Sequence, residues 1–144
     1  MFWCRAAVLG LALSLILTAP AYAADCSEVL NAPTGEFSLS RPVPGGLTRK
    51  FTQEGGVAFE GEAGEPVYAA LGGVVAEPAA DGTGVRIEHG GGLVTAYAGL
   101  GGLSVAAGAC VKGGTAIGTL GDGGELSFGL LQDGKPVDPL PYLQ

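Results

Sequence analysis

From Gly45 onward the chain is a succession of short apolar runs, each closed by glycine or a turn-forming dipeptide. Val85, Ile87 and His89 alternate with Arg86 and Glu88, so the first three share one face of a strand and the other two point away. In the next run Leu93, Thr95 and Tyr97 oppose Val94, Ala96 and Ala98, and both faces carry apolar groups. The pattern predicts strands over 47–51, 57–60, 66–69, 73–77, 85–89, 93–98, 115–120 and 125–131. Asp81-Gly82, Gly90-Gly91-Gly92 and Gly121-Asp122-Gly123-Gly124 supply the turns between them. No segment keeps a helical period, and Gly and Pro recur too often for a long helix. The expected fold is all-β, an antiparallel sandwich or open barrel.

The first 23 residues follow a different rule. A lone basic residue, Arg5, precedes an apolar run from Ala6 to Leu17, and Ala21-Tyr22-Ala23 ends it with a small-x-small pattern. This is the layout of a signal peptide cleaved after Ala23 or Ala24, and it is too short for a membrane span. The expected product is exported across the inner membrane, periplasmic or extracellular, and free of the membrane after cleavage. Lipid attachment at Cys26 is disfavoured because Asp25, rather than a small neutral residue, precedes it. A polar tail over 24–41 then leads into a domain over 42–144.

Removal of the leader leaves roughly 120 residues, enough for one modest core. It also leaves two cysteines, Cys26 and Cys110. In an oxidising compartment an even pair reads as a disulfide, with two free thiols as the alternative. The formal net charge of −7 becomes more negative once Arg5 is lost. That balance argues against nucleic acid and anionic surfaces as partners. The single tryptophan, Trp3, leaves with the leader, which excludes a sugar site built on indole stacking.

Three stretches in order, Pro42-Val43-Pro44-Gly45-Gly46, Gly64-Glu65-Pro66-Val67-Tyr68-Ala69-Ala70 and Gly134-Lys135-Pro136-Val137-Asp138-Pro139, carry a family resemblance. The chain resembles the lysostaphin/LytM-type zinc metallopeptidases, which cleave peptide cross-links of bacterial cell walls. The similarity covers about 100 residues and implies a LytM-like β fold. It also implies where the metal chemistry would sit. The family's early His-x-Gly-x-Asp segment falls on Glu54-Gly55-Gly56-Val57-Ala58, so Glu54 and Ala58 stand at two zinc-ligand positions. The late His-x-His falls on Glu125-Leu126-Ser127, with Glu125 at the general-base position and Ser127 at the third ligand position. A further family histidine corresponds to Gly99.

Alanine offers no donor atom, a neutral serine is a poor zinc ligand, and a catalytic zinc needs three converging ligands. The only histidine, His89, lies outside these positions and reads as structural. Ser127 has no histidine to activate it, and Lys112-Gly113-Gly114 lacks the pattern of a phosphate loop or a carrier hairpin. The expectation is therefore a domain with no metal, no cofactor and no catalytic residues. Its old groove, around Glu54, Phe59, Tyr97, Glu125 and Ser127, becomes a candidate contact surface. Family kinship implies a regulator that binds a cell-wall amidase. The alternatives are a module that binds peptidoglycan peptides and a divergent hydrolase using Glu54 and Glu125 as an acid/base pair.

Overall fold

The computed structural model describes residues 26, 37–76, 78 and 82–144. The expected leader and most of the expected tail, together with Glu77 at the end of one expected strand, lie outside the described residues. Eleven strands are present among them: β1 (Leu47–Thr52), β2 (Gly56–Glu60), β3 (Pro66–Tyr68), β4 (Gly73–Val75), β5 (Gly84–Gly90), β6 (Leu93–Ala98), β7 (Leu100–Leu103), β8 (Cys110–Val111), β9 (Ala116–Leu120), β10 (Glu125–Gln132) and β11 (Lys135–Val137). A 3-10 turn, Leu140–Tyr142, follows.

Eight strands form one antiparallel sheet in the order β1-β2-β10-β6-β5-β4-β8, with β11 also paired to β10. A second sheet, β3-β9-β7, closes over it. The core lies between them, where Val67, Ile117, Leu120 and Leu100 of the small sheet meet Val57, Phe59, Ile87, Tyr97, Leu126 and Phe128 of the large one. Tyr97 and Phe128 pack with tilted rings 5.3 Å apart, and Phe59 lies 6.4 Å from Phe128. The strict alternation of β10 sends Leu126, Phe128 and Leu130 into this core and leaves Glu125, Ser127, Gly129 and Leu131 on the outer face.

Eight strands follow the hydrophobic pattern; β7, β8 and β11 do not announce themselves in it. Each is two to four residues long, rich in Gly or Pro or too short to alternate, and each forms by pairing with a longer neighbour: β9, β4 and β10.

The expected tail also contributes to the domain. Leu39 is fully buried and makes a parallel bridge to Leu143, while Phe37 stacks on Tyr142 at 4.5 Å with nearly parallel rings. A disulfide joins Cys26 to Cys110 on β8, 84 residues apart in sequence. The leading segment is thereby tied to the domain at two separate points.

Candidate functional site

The outer face of the large sheet bears an open cleft of about 510 Å³. Its floor comes from the outward positions of three adjacent strands. Register aligns Ala98 with Ser127 and Ser127 with Ala58, and in the next row Ala96 with Gly129. All are small, so the sheet surface dips between larger neighbours. Phe51, Gln53 and Glu54 rise on one side from the end of β1 and the turn into β2, Arg86 of β5 rises on the other, and Leu131 and Pro136 close one end.

The β1–β2 turn makes this shape possible through Gly56. Its φ is +63°, and a Cβ there would lie 2.3 Å from the Phe128 carbonyl oxygen. Glycine alone lets β2 approach β10 so closely at this point.

One cation spans the upper part of the floor. Arg49 of β1 reaches across β2 at the level of Ala58, its register partner. Its Nη2 donates to the Gly55 carbonyl at 3.1 Å and to Ser127 Oγ at 3.4 Å, and its Nη1 lies 3.6 Å from Glu125 Oε1. The Thr48 hydroxyl donates to the other Glu125 oxygen at 3.2 Å. The guanidinium thus holds Glu125 and Ser127 together from outside the strand that carries them.

Of the residues expected in the groove, Glu54 and Ser127 line the cleft, and Glu125 lies on the same face of β10 but beyond it, engaged by Arg49. Phe59 and Tyr97 do not belong to that surface. Phe59 is fully buried and Tyr97 is 1% exposed, because both occupy the inward phase of their strands. Arg41 covers Phe59, its guanidinium carbon 5.4 Å from the ring centroid. Sequence reasoning missed Arg49 and Arg86. Both stand at outward strand positions, but nothing in the sequence said that Arg49 would lean across its neighbour.

The positions that the family resemblance assigns to zinc ligands bring together no donor set for the metal. Ala58 is fully buried and has no donor atom, Ser127 Oγ accepts from a guanidinium, and Glu125 is paired to the same cation. Among the described residues no group of three or more His, Cys, Asp or Glu side chains converges to hold a metal ion. At Gly99 the limit is set by the backbone. Its φ is +94°, and a Cβ there would meet the Glu125 carbonyl oxygen at 2.4 Å. The space a side chain would need is filled by the neighbouring strand.

The single histidine is inside the protein, at the other face of the sheet. His89 is 1% exposed, with Nδ1 2.6 Å from the Gly72 carbonyl and Nε2 2.9 Å from Thr95 Oγ1. The Thr95 and Tyr97 hydroxyls are 2.9 Å apart, and the Ala70 N–H donates to the Tyr97 oxygen at 2.8 Å. Because the Gly72 carbonyl only accepts, the ring proton belongs on Nδ1 and Nε2 must accept from Thr95. Thr95 then receives the Tyr97 proton, and every member of the chain is satisfied. Burial lowers the His89 pKa from its ordinary value, partly offset by the Gly72 contact. Burial pushes the Tyr97 pKa up to about 12, against the opposing pull of the Ala70 N–H. The network is structural: it ties β5 and β6 to the segment after β3.

A profile of Peptidase family M23 matches residues 52–139, more than half of the chain. The chain belongs to Peptidase family M23. It is 37% identical over 117 residues to a lipoprotein NlpD/LppB homolog of Pseudomonas aeruginosa, a match covering 71% of this chain and 38% of that protein. The chain therefore spans well under half the length of that relative. Among solved structures, Csd3 of Helicobacter pylori superposes with a TM-score of 0.67 at 26% identity, over 76% of this chain and 34% of that one. A zinc-containing peptidase of Vibrio cholerae gives 0.66 at 26% identity, over 73% and 40%. Within the M23 frame this domain is a degenerate member: the fold is kept and no group of metal-ligating side chains converges among the described residues.

Proposed function

We propose that this M23 domain is a non-catalytic component of the bacterial envelope that regulates cell-wall remodelling by binding a peptidoglycan hydrolase, an amidase being the leading candidate. The observation that supports this reading is the open cleft on a sheet where, among the described residues, no group of metal-ligating side chains converges. Kinship to an NlpD/LppB homolog supports an envelope setting. With Ala58 and Ser127 at ligand positions there is no Lewis acid to polarise a peptide carbonyl and no activated water to attack it. What remains is a shaped, small-residue surface on a rigid sheet, suited to holding another molecule.

Affinity capture from envelope extract, with the purified protein as bait, tests the reading. Recovery of an amidase, together with a higher amidase rate on isolated sacculi when the protein is added, is the expected result. Solubilisation of sacculi by the protein alone, with stoichiometric zinc in metal analysis, would overturn it in favour of an enzyme.

A further inference from the structure

We propose that the cleft recognises a peptide segment of its protein partner through an opposed pair of charges, an acidic residue seated on Arg86 and a basic one facing Glu54. The inference rests on the reading of the cleft as a protein-docking surface and adds the chemistry of what docks.

Four observations carry it. The Arg86 guanidinium and the Glu54 carboxylate both line the cleft and are exposed, and neither makes a side-chain hydrogen bond or ion pair among the described residues. Arg49, by contrast, is committed to Glu125, Ser127 and Gly55. The two free charges stand on opposite walls. Arg86 pairs in register with Ala96, Ala96 with Gly129, and beyond Gly129 lies the Gly55-Gly56 turn that carries Glu54. Three inter-strand steps, roughly 14 Å, separate the backbones of the two walls, and no ion pair joins Arg86 to Glu54 among the described residues. The floor between them is Ala96, Ala98, Ser127 and Gly129, which lets a peptide backbone approach the sheet. Phe51, Leu131 and Pro136 offer apolar contact beside it.

The setting makes the acid preference a local one. The protein as a whole is strongly acidic, with a net charge of −7, so long-range attraction of an acidic peptide is absent. Recognition must come from the short charge-assisted contact that the planar guanidinium makes with a carboxylate. Glu54 at the opposite wall then sets direction, because a peptide docked the other way round would place like charges together.

Phage-displayed random 12-residue peptides, selected on immobilised protein, test the proposal. The wild type is expected to enrich peptides bearing an Asp or Glu and a Lys or Arg at a fixed separation. Arg86→Gln, with folding verified by circular dichroism, is expected to weaken the best peptide by about tenfold or more. The double exchange Arg86→Glu with Glu54→Arg is expected to reverse the order of the two charges in the selected sequences. Enrichment without a charge signature, or the same signature surviving Arg86→Glu, would overturn the proposal, as would the absence of any enrichment. Arg86-dependent binding of soluble muropeptides without peptide enrichment would also overturn it, by assigning the cleft to the wall. An amidase captured equally well by wild type and Arg86→Glu would sink the charge rule and leave the partner reading standing. A clear charge signature with no hydrolase in the envelope capture would do the reverse.

Discussion

Arg49 and Glu125 face one another across β2, Nη1 to Oε1 at 3.6 Å, and so connect two strands that are not neighbours in the sheet. Both side chains are more than two-fifths exposed, and a pair of that kind contributes at most about 1 kcal/mol. Its weight is chemical: a fixed positive charge lies beside Ser127 and above Ala58, where a second cation would be repelled. Introducing Glu54→His, Ala58→Asp and Ser127→His together should therefore leave the protein without bound zinc while Arg49 remains, because the carboxylate introduced at position 58 would pair with the guanidinium. Adding Arg49→Ala should raise zinc retention after dialysis. Equal zinc content in the triple and quadruple variants, measured by elemental analysis, would refute the idea.

The buried chain His89–Thr95–Tyr97 makes stability pH-dependent. His89 has a folded pKa below its ordinary value of 6.5, so the unfolded chain binds its proton first as pH falls. The contribution is fully present above about pH 6.5 and is lost as pH drops below that value toward the depressed folded pKa. Protonation would also turn Nε2 into a donor, reverse the Thr95 hydroxyl and leave the Tyr97 proton without its acceptor. Urea midpoints taken between pH 5 and 8 should fall on the acid side for the wild type. In His89→Gln that acid slope should be reduced, at a cost of about 1–3 kcal/mol at neutral pH. An unchanged slope in the variant would assign the acid sensitivity to other groups.

Gly99 tests whether the close approach of β10 leaves no room for a side chain at that position. Gly99→Ala should cost about 1–3 kcal/mol, since the new methyl must find space at 2.4 Å from the Glu125 carbonyl while the residue keeps a left-handed φ. Gly64→Ala, with a similar φ of +84° but open space around it, should cost less. Thermal unfolding of both variants gives the comparison, and equal losses would show that φ alone decides.

Much of the fold is legible in the sequence because alternation is a direct consequence of strand geometry: Val85, Ile87 and His89 do face inward, as their spacing predicts. The same rule, applied to Phe59 and Tyr97, puts them inside. Phe59 directly follows Ala58, and neighbours along a strand point to opposite faces, while Tyr97 shares the inward phase of β6 with Leu93 and Thr95. Arg49 is illegible for a different reason. Its role depends on a long side chain leaning over β2 to another strand, and such a contact leaves no trace in local spacing. β7, β8 and β11 are hidden because their stability comes from the strands they pair with rather than from their own composition.

The link between Cys26 and Cys110 spans 84 residues, and by the chain-entropy account such closure stabilises by up to about 4–5 kcal/mol, with about 2–4 kcal/mol commonly measured. Cys26→Ser with Cys110→Ser should lower the thermal midpoint by several degrees, and reductant should shift the wild type but not the variant. Identical midpoints for the two proteins under oxidising conditions would show that the core alone holds the domain.

The close approach at Gly99 also gives the lineage a direction. A side chain can be restored at little cost where its volume has stayed empty, but at Gly99 the Glu125 carbonyl occupies that volume. A substitution at Gly99 would pass through a less stable protein before anything the new side chain bound could compensate. The fold has in this sense closed the door behind it, and selection acting on the cleft is left to improve what it holds rather than what it cuts.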